Sequence, residues 1–482
     1  MGRVGVEAWS ILEAVEGKGW GAYITAMAIA AGTAGAILFT RRGRYDDDED
    51  DERWADVTTT TAELLPMDTL LLKQKEGSVT TVTFFEGDID AAEAEIGKNC
   101  EALLRLNPWL CGRSFLRGGK GYLKWPTICE ETPPDVFVRR DIEGLHRNTE
   151  YAEISRLLTD RMCPRGPTDR NWLVTLVPDS ESPTKRFCVV TSMNHGMGDG
   201  HTYYKCHNIV VGATDPEPLV CERNREAAEE VDRMCPTRKE IFTVPFFLGI
   251  ALRLLYGRVT GYEPAIRSFE VDDEWLAREK ERAPKSNPQV KFVSSNDCVT
   301  SWFLRQCSQV SILLLAVVLA SDLALLQLAA KDAPTSGDMP VLGLMAVNFR
   351  GRVEGSNHAL AGNYESMVYY LPGDFESPGL IRRSLATMRR CGSSPFHLFT
   401  RLRAPGGLIS NWMTFCLPPK LPGSRELLHL PIFHTDELPP GWSLCLVFRS
   451  RGKQASIFVA GPPELLHQIE AEASGPTGAP IV

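Results

Sequence analysis

The chain reads as an α/β protein, because short β-branched and aromatic runs alternate with longer stretches of helical period. A glycine-rich turn carrying His and Asp joins one such run to a helix, as strand-to-helix units do. Its 482 residues, 43% of them hydrophobic, suit two domains or one large domain of two lobes. A formal net charge of -9 gives no support to a nucleic-acid partner. The 13 cysteines form no C-x-x-C pair and no Cys/His alternation. Most of them read as small buried apolar residues of a reducing compartment, and no zinc module or catalytic metal is expected.

Taken in order, residues 1–20 form an N-terminal segment, and residues 21–40, GAYITAMAIAAGTAGAILFT, carry no charge. A helix needs roughly 20 such residues to cross a bilayer, so they are a candidate membrane anchor. Arg41, Arg42 and Arg44 follow, which favours a cytoplasm-facing body, with the endoplasmic reticulum as one setting. An organelle-targeting segment is the alternative. The acidic run Asp46 to Glu52 belongs to a charged linker over 41–63.

Val79 to Phe85 predicts a strand, and Ile89 to Leu106 a helix closed by Asn107-Pro108. Phe187 to Ser192 predicts a buried strand, with a helix running from Gly200 to Val210. Glu222 to Arg233 is helix-prone, and the apolar run Ile241 to Leu252, broken by Pro245, reads as a buried helix. The charged residues 279–288 are expected to cross between lobes, dividing the body into 64–278 and 279–482. A helix begins near Ser294. The apolar run from Ile312 toward Ala330 is expected to be buried, since Asp322 is costly inside a bilayer. Strands are expected near 341–348, 366–371, 443–449 and 454–460.

The chemistry concentrates in Met193-Asn194-His195-Gly196-Met197-Gly198-Asp199-Gly200. An imidazole beside small residues after a strand suits a general base, since its ordinary pKa of about 6.5 permits proton exchange near neutrality. Gly196, Gly198 and Gly200 are expected to allow a tight path. His195, His201 and His207 follow at intervals of six, which puts them on no common helical face and argues against a zinc site.

Read together, the separated motifs resemble the chloramphenicol-acetyltransferase-like, CoA-dependent acyltransferase superfamily. His195 to Gly200 fits its H-x-x-x-D-G pattern, and Pro108-Trp109-Leu110-Cys111-Gly112-Arg113 is similar to its P-x-L-x-G-R region. Pro66-Met67-Asp68, Asn171 to Val177, Asn296-Asp297, Asn348-Phe349-Arg350 and Gly362-Asn363 look most like the wax ester synthase/diacylglycerol acyltransferase branch. Two departures stand out. Asn194 occupies the place of a second histidine in the bacterial wax-synthase pattern, and no D-F-G-W-G motif of the plant-type alcohol acyltransferases is completed near Trp412 or Trp442.

The resemblance implies two acyltransferase lobes around a central substrate channel, with acyl-CoA as cosubstrate and no tightly bound cofactor. It implies His195 as base for transfer of an acyl group to a hydroxyl acceptor. A lipid alcohol is the expected acceptor, giving wax esters or acylglycerols in lipid metabolism. A soluble enzyme for a small alcohol or amine, or a non-catalytic lipid- or protein-binding relative, is the alternative. Asp199 and Gly200 are expected to hold the loop, with Arg113 or Arg350 as partner of Asp199. Asn296 is a candidate for stabilising the oxyanion or shaping the site.

Overall fold

The computed structural model describes residues 57–481 except 75–77, 130–131, 134, 159–169, 236–240, 242–245, 247–248, 251–252, 255–256, 258–259, 288, 321–340, 394–405, 434–437 and 473–474. The candidate anchor at 21–40 lies outside the described residues, as does the apolar run beyond Ala320. Among the described residues no helix is long and apolar enough to cross a membrane.

In chain order the elements are β1 (Thr59–Glu63), α1 (Pro66–Gln74), β2 (Ser78–Glu86), α2 (Ile89–Leu106), β3 (Arg113–Arg117) and β4 (Lys120–Pro126). β5 (Phe137–Arg139), α3 (Tyr151–Leu158), β6 (Trp172–Pro178), β7 (Arg186–Asn194), α4 (Gly200–Val210) and α5 (Arg225–Met234) follow. The second half brings β8 (Ala265–Val271), α6 (Asp273–Ser286), α7 (Ser295–Ala320), β9 (Leu342–Asn348) and β10 (Glu365–Tyr370). It ends with α8 (Pro378–Thr387), β11 (Gly406–Asn411), β12 (Arg425–Ile432), β13 (Trp442–Arg451), β14 (Gln454–Gly461), α9 (Pro463–Ala471) and β15 (Thr477–Pro480).

These strands make a three-stranded sheet, β1-β4-β3, a five-stranded sheet, β12-β2-β7-β6-β5, and a seven-stranded sheet, β10-β9-β11-β13-β14-β8-β15. α2 and α4 pack together beside the five-stranded sheet, while α7 lies against α6, α8, α9 and β11. α2 shows why the sequence folds this way. Asp88 caps it by accepting from the backbone N–H groups of Asp90 and Ala91 at 2.9 and 3.2 Å. Ile89, Ala92, Ile96, Cys100, Leu103 and Leu104 then bury one stripe, and Pro108 opens the next turn.

Two strands cross the boundary expected after residue 278. β8 pairs with β14 in the seven-stranded sheet, and β12 returns to the five-stranded sheet beside β2. Burying Leu428, Leu430 and Ile432 of β12 holds that exchange, at roughly 1.5–3 kcal/mol for each side chain. The charged segment that follows residue 278 is helical rather than irregular. Up to Ser286 it continues α6, which Asp272 caps through the N–H groups of Glu274 and Trp275. Ile241 and Phe246 are buried against Leu342, Leu344, Tyr369 and Trp442, as a core reading of that run requires.

Candidate active site

β7 carries Asn194 at its end, and α4 starts at Gly200, so His195 sits on the short loop between sheet and helix. The loop closes on itself: Asn194 Oδ1 accepts from the N–H of Gly196 at 2.9 Å, and Asn194 O from the N–H of Met197 at 2.8 Å. Asn194 therefore has a local task in the place of a second histidine. His195 is half-buried, whereas every residue from Gly196 to Thr202 is buried. A base that must meet substrate needs that access.

The glycines serve by their lack of bulk. Gly196, Gly198 and Gly200 do not have left-handed backbones. A Cβ on Gly196 would lie 2.5 Å from Leu72 Cγ. Where conformation does matter is Gly362, with φ of +125° and a Cβ position 2.8 Å from Arg223 Nε.

Asp199 is the N-cap of α4, its Oδ1 accepting from Thr202 N–H at 3.0 Å. Its Oδ2 meets Arg350 Nη1 at 2.7 Å and accepts from the N–H of Tyr364 at 3.1 Å. Arg350, after β9, also donates to Leu360 O at 2.8 Å, Gly362 O at 2.7 Å and Asn348 Oδ1 at 3.1 Å. Burial raises the Asp199 carboxyl, but the charge and hydrogen bond of Arg350 outweigh it and hold the group below the usual carboxylate range. The partner of Asp199 is thus Arg350. Arg113 lies on β3 opposite Lys124, and its charge acts on Asp135.

A second buried ion pair holds the other side of the loop. Asp68 Oδ2 meets Arg223 Nε at 2.8 Å, and Arg223 Nη2 donates to Met197 O at 2.9 Å. Asn363 bridges the two features, Nδ2 donating to Asp68 Oδ1 and to His195 O at 2.8 Å each. Sequence reasoning did not reach Arg223, which lies in an ordinary charged run. Its only signal is the invisible requirement that a buried Asp68 needs a cation.

Asn296 stands at the start of α7, where its amide donates to Met345 Sδ at 3.5 Å. Its neighbour Asp297 pairs with Arg382 and accepts from the N–H of Ser294 at 2.6 Å. These contacts join the start of α7 to β9 and α8. A cavity of about 400 Å³ adjoins the His195 loop at Asn363, with Leu64, Met67 and Tyr364 in its wall and Lys120 and Arg225 among its charged residues.

The chain has the two-lobed chloramphenicol-acetyltransferase-like fold. TRI101 of F. graminearum, complexed with coenzyme A and deoxynivalenol, is similar at 14% identity and a TM-score of 0.55, over 88% of this chain and 100% of its own. The first condensation domain of the calcium-dependent antibiotic synthetase, in complex with a substrate analogue, matches at 14% and 0.54, over 88% and 98%. Vinorine synthase matches at 12% and 0.53, over 87% and 98%. No protein-family model matches the chain, and no curated protein sequence matches it. At these identities the likeness establishes the fold.

Proposed function

We propose that the protein is an acyl-CoA-dependent O-acyltransferase with His195 as its general base. The observation that carries this reading is a half-buried histidine at a strand end, on a loop gripped from both sides by buried Asp–Arg pairs. Such a grip positions a group that reacts, since a misplacement of about 1 Å costs roughly a hundredfold in rate. In the step proposed, His195 takes the proton of an acceptor hydroxyl while its oxygen attacks the thioester carbonyl. The tetrahedral intermediate then expels the CoA thiolate, and the imidazolium returns the proton to sulfur. No covalent acyl-enzyme is needed.

For the acceptor, the motif resemblance to the wax ester synthase branch and the apolar residues 21–40 favour a lipid alcohol at a membrane surface. A small hydroxylated acceptor is the second reading. It is favoured by the charged residues around the cavity beside Asn363 and by the likeness to TRI101 complexed with coenzyme A and T-2 mycotoxin. Purified protein incubated with acyl-CoAs and a panel of fatty alcohols, diacylglycerol and small alcohols, with products identified by mass, separates them. No acceptor-dependent release of CoA thiol across the panel would sink the transferase reading. A chain starting after Glu52 should leave the membrane fraction if 21–40 is an anchor; equal partitioning of both forms rejects the anchor.

A further inference from the structure

Behind the His195 loop, the five-stranded sheet turns a polar face toward α4. Thr81 and Thr83 of β2, Thr191 of β7 and His429 of β12 lie on it, Thr81 registered with Thr191 and Thr83 with His429. The side chains of Tyr203, Tyr204 and His207 on α4 meet that face. Tyr203 OH contacts Thr81 Oγ1 at 2.7 Å, and Tyr204 OH contacts His429 Nε2 at 3.0 Å. Cys416, in the segment after β11, completes a cluster in which the ligand atoms of His207, Cys416 and His429 all lie within 4.8 Å of one another. All three residues are buried, where apolar side chains would cost less to place.

We propose that His207, Cys416 and His429 hold a structural zinc ion. Three features make this a built site. First, each imidazole has its Nδ1 engaged by a threonine hydroxyl, His207 with Thr191 at 3.1 Å and His429 with Thr83 at 2.8 Å. Ligating histidines are oriented by a partner on the far ring nitrogen, and this turns the Nε2 edges toward the metal position, that of His429 being in contact with the Tyr204 hydroxyl. The Tyr204 hydroxyl now at His429 Nε2 gives way on binding and remains beside the fourth position.

Second, Arg449 Nη2 lies 3.2 Å from Cys416 Sγ, which places a positive charge beside the sulfur that zinc would bind as a thiolate. Binding exchanges the thiol proton for the metal, and that proton leaves to solvent. Glu426 meets Arg449 with both oxygens at 2.7 Å, so the guanidinium charge is balanced. Third, two imidazoles and a sulfur suit zinc and exclude the oxygen-seeking magnesium and calcium. The ion would tie the post-β11 segment and β12 to α4. That is a cross-link between distant parts of the chain, at the far end of the helix that Asp199 caps.

The test uses full-length protein purified with zinc in the growth medium and passed over a desalting column with a mild chelator. About one zinc per chain is expected by plasma mass spectrometry. Protein refolded with Co2+ should show thiolate-to-cobalt charge-transfer absorption. Cys416→Ser and His429→Gln should each lower bound metal by about tenfold or more and remove that absorption. Wild-type protein with neither stoichiometric zinc nor a cobalt–thiolate band overturns the proposal. Metal retained equally in both variants also overturns it, because the ion would then sit elsewhere. Should either variant fail to fold, the wild-type zinc content and cobalt spectrum decide alone.

Discussion

The two ends of α4 place histidines under opposite conditions. Before its first turn, His195 is half-buried on a loop fixed by the buried charges of Asp199, Arg350, Asp68 and Arg223. In its last turn, His207 is fully enclosed and stacked on Tyr203, with ring centroids 5.8 Å apart. Burial pushes the His207 imidazole down to about 3, with the Arg449 charge adding to the effect. The difference teaches that one helix carries a half-buried histidine just before its first turn and a fully enclosed one in its last. Charges at the first end hold a loop in place; at the second, burial and the Arg449 charge together leave the ring as a neutral donor atom.

The largest expected effect lies at the half-buried histidine. His195→Ala should lower kcat by about 10²–10⁴-fold, the contribution of a positioned general base, without moving the thermal midpoint. Steady-state rates and a melting curve on the same preparation check both halves. Turnover within a few-fold of the parent would move the base elsewhere.

Next come the charges that grip the loop. Asp199→Asn leaves Arg350 buried without its counter-ion and should cost about 3–5 kcal/mol in urea unfolding. Asp68→Asn should cost about as much by stranding Arg223. Both should also reduce turnover, because the loop shifts. If Asp199→Asn kept full stability while turnover vanished, Asp199 would have a direct role in the reaction.

Much of this arrangement was legible in the sequence because its signals are local. The boundaries of α2 and α4 follow from Asp88, Pro108 and Asp199, residues whose side chains or rings act within one turn. His195 stood out for the same reason. β12 was not legible: Arg425 to Ile432 contains Pro431 and a buried His429, and its strand state depends on pairing with β2 across the whole chain. Arg223 and Asp68 are likewise joined only by the fold. The spacing of His195, His201 and His207 compared residues that share a segment, while the ring of His207 faces Cys416 and His429, which no spacing rule connects.

His201, one residue into α4, lies between these two conditions and gives the smallest prediction. Its ring is buried against Phe415 and His358, with centroids 5.5 and 5.6 Å away. Burial lowers its pKa from 6.5 to about 4, and Arg350 adds to the shift while Asp199 opposes it. The folded pKa is depressed, so between those values the unfolded chain binds more protons than the native one. The stability tied to neutral His201 is therefore complete above about pH 6.5 and is lost as pH falls toward 4, at up to about 1.4 kcal/mol per pH unit. His201→Phe keeps a ring in the same packing and removes the titration. Its unfolding free energy should fall less steeply than the parent's across that window, by close to one proton's slope. Urea titrations at pH 6.5, 5.5 and 4.5 measure it. Parallel curves for the two proteins would mean that His201 takes up its proton in the folded state, and that the interior side of α4 begins beyond it.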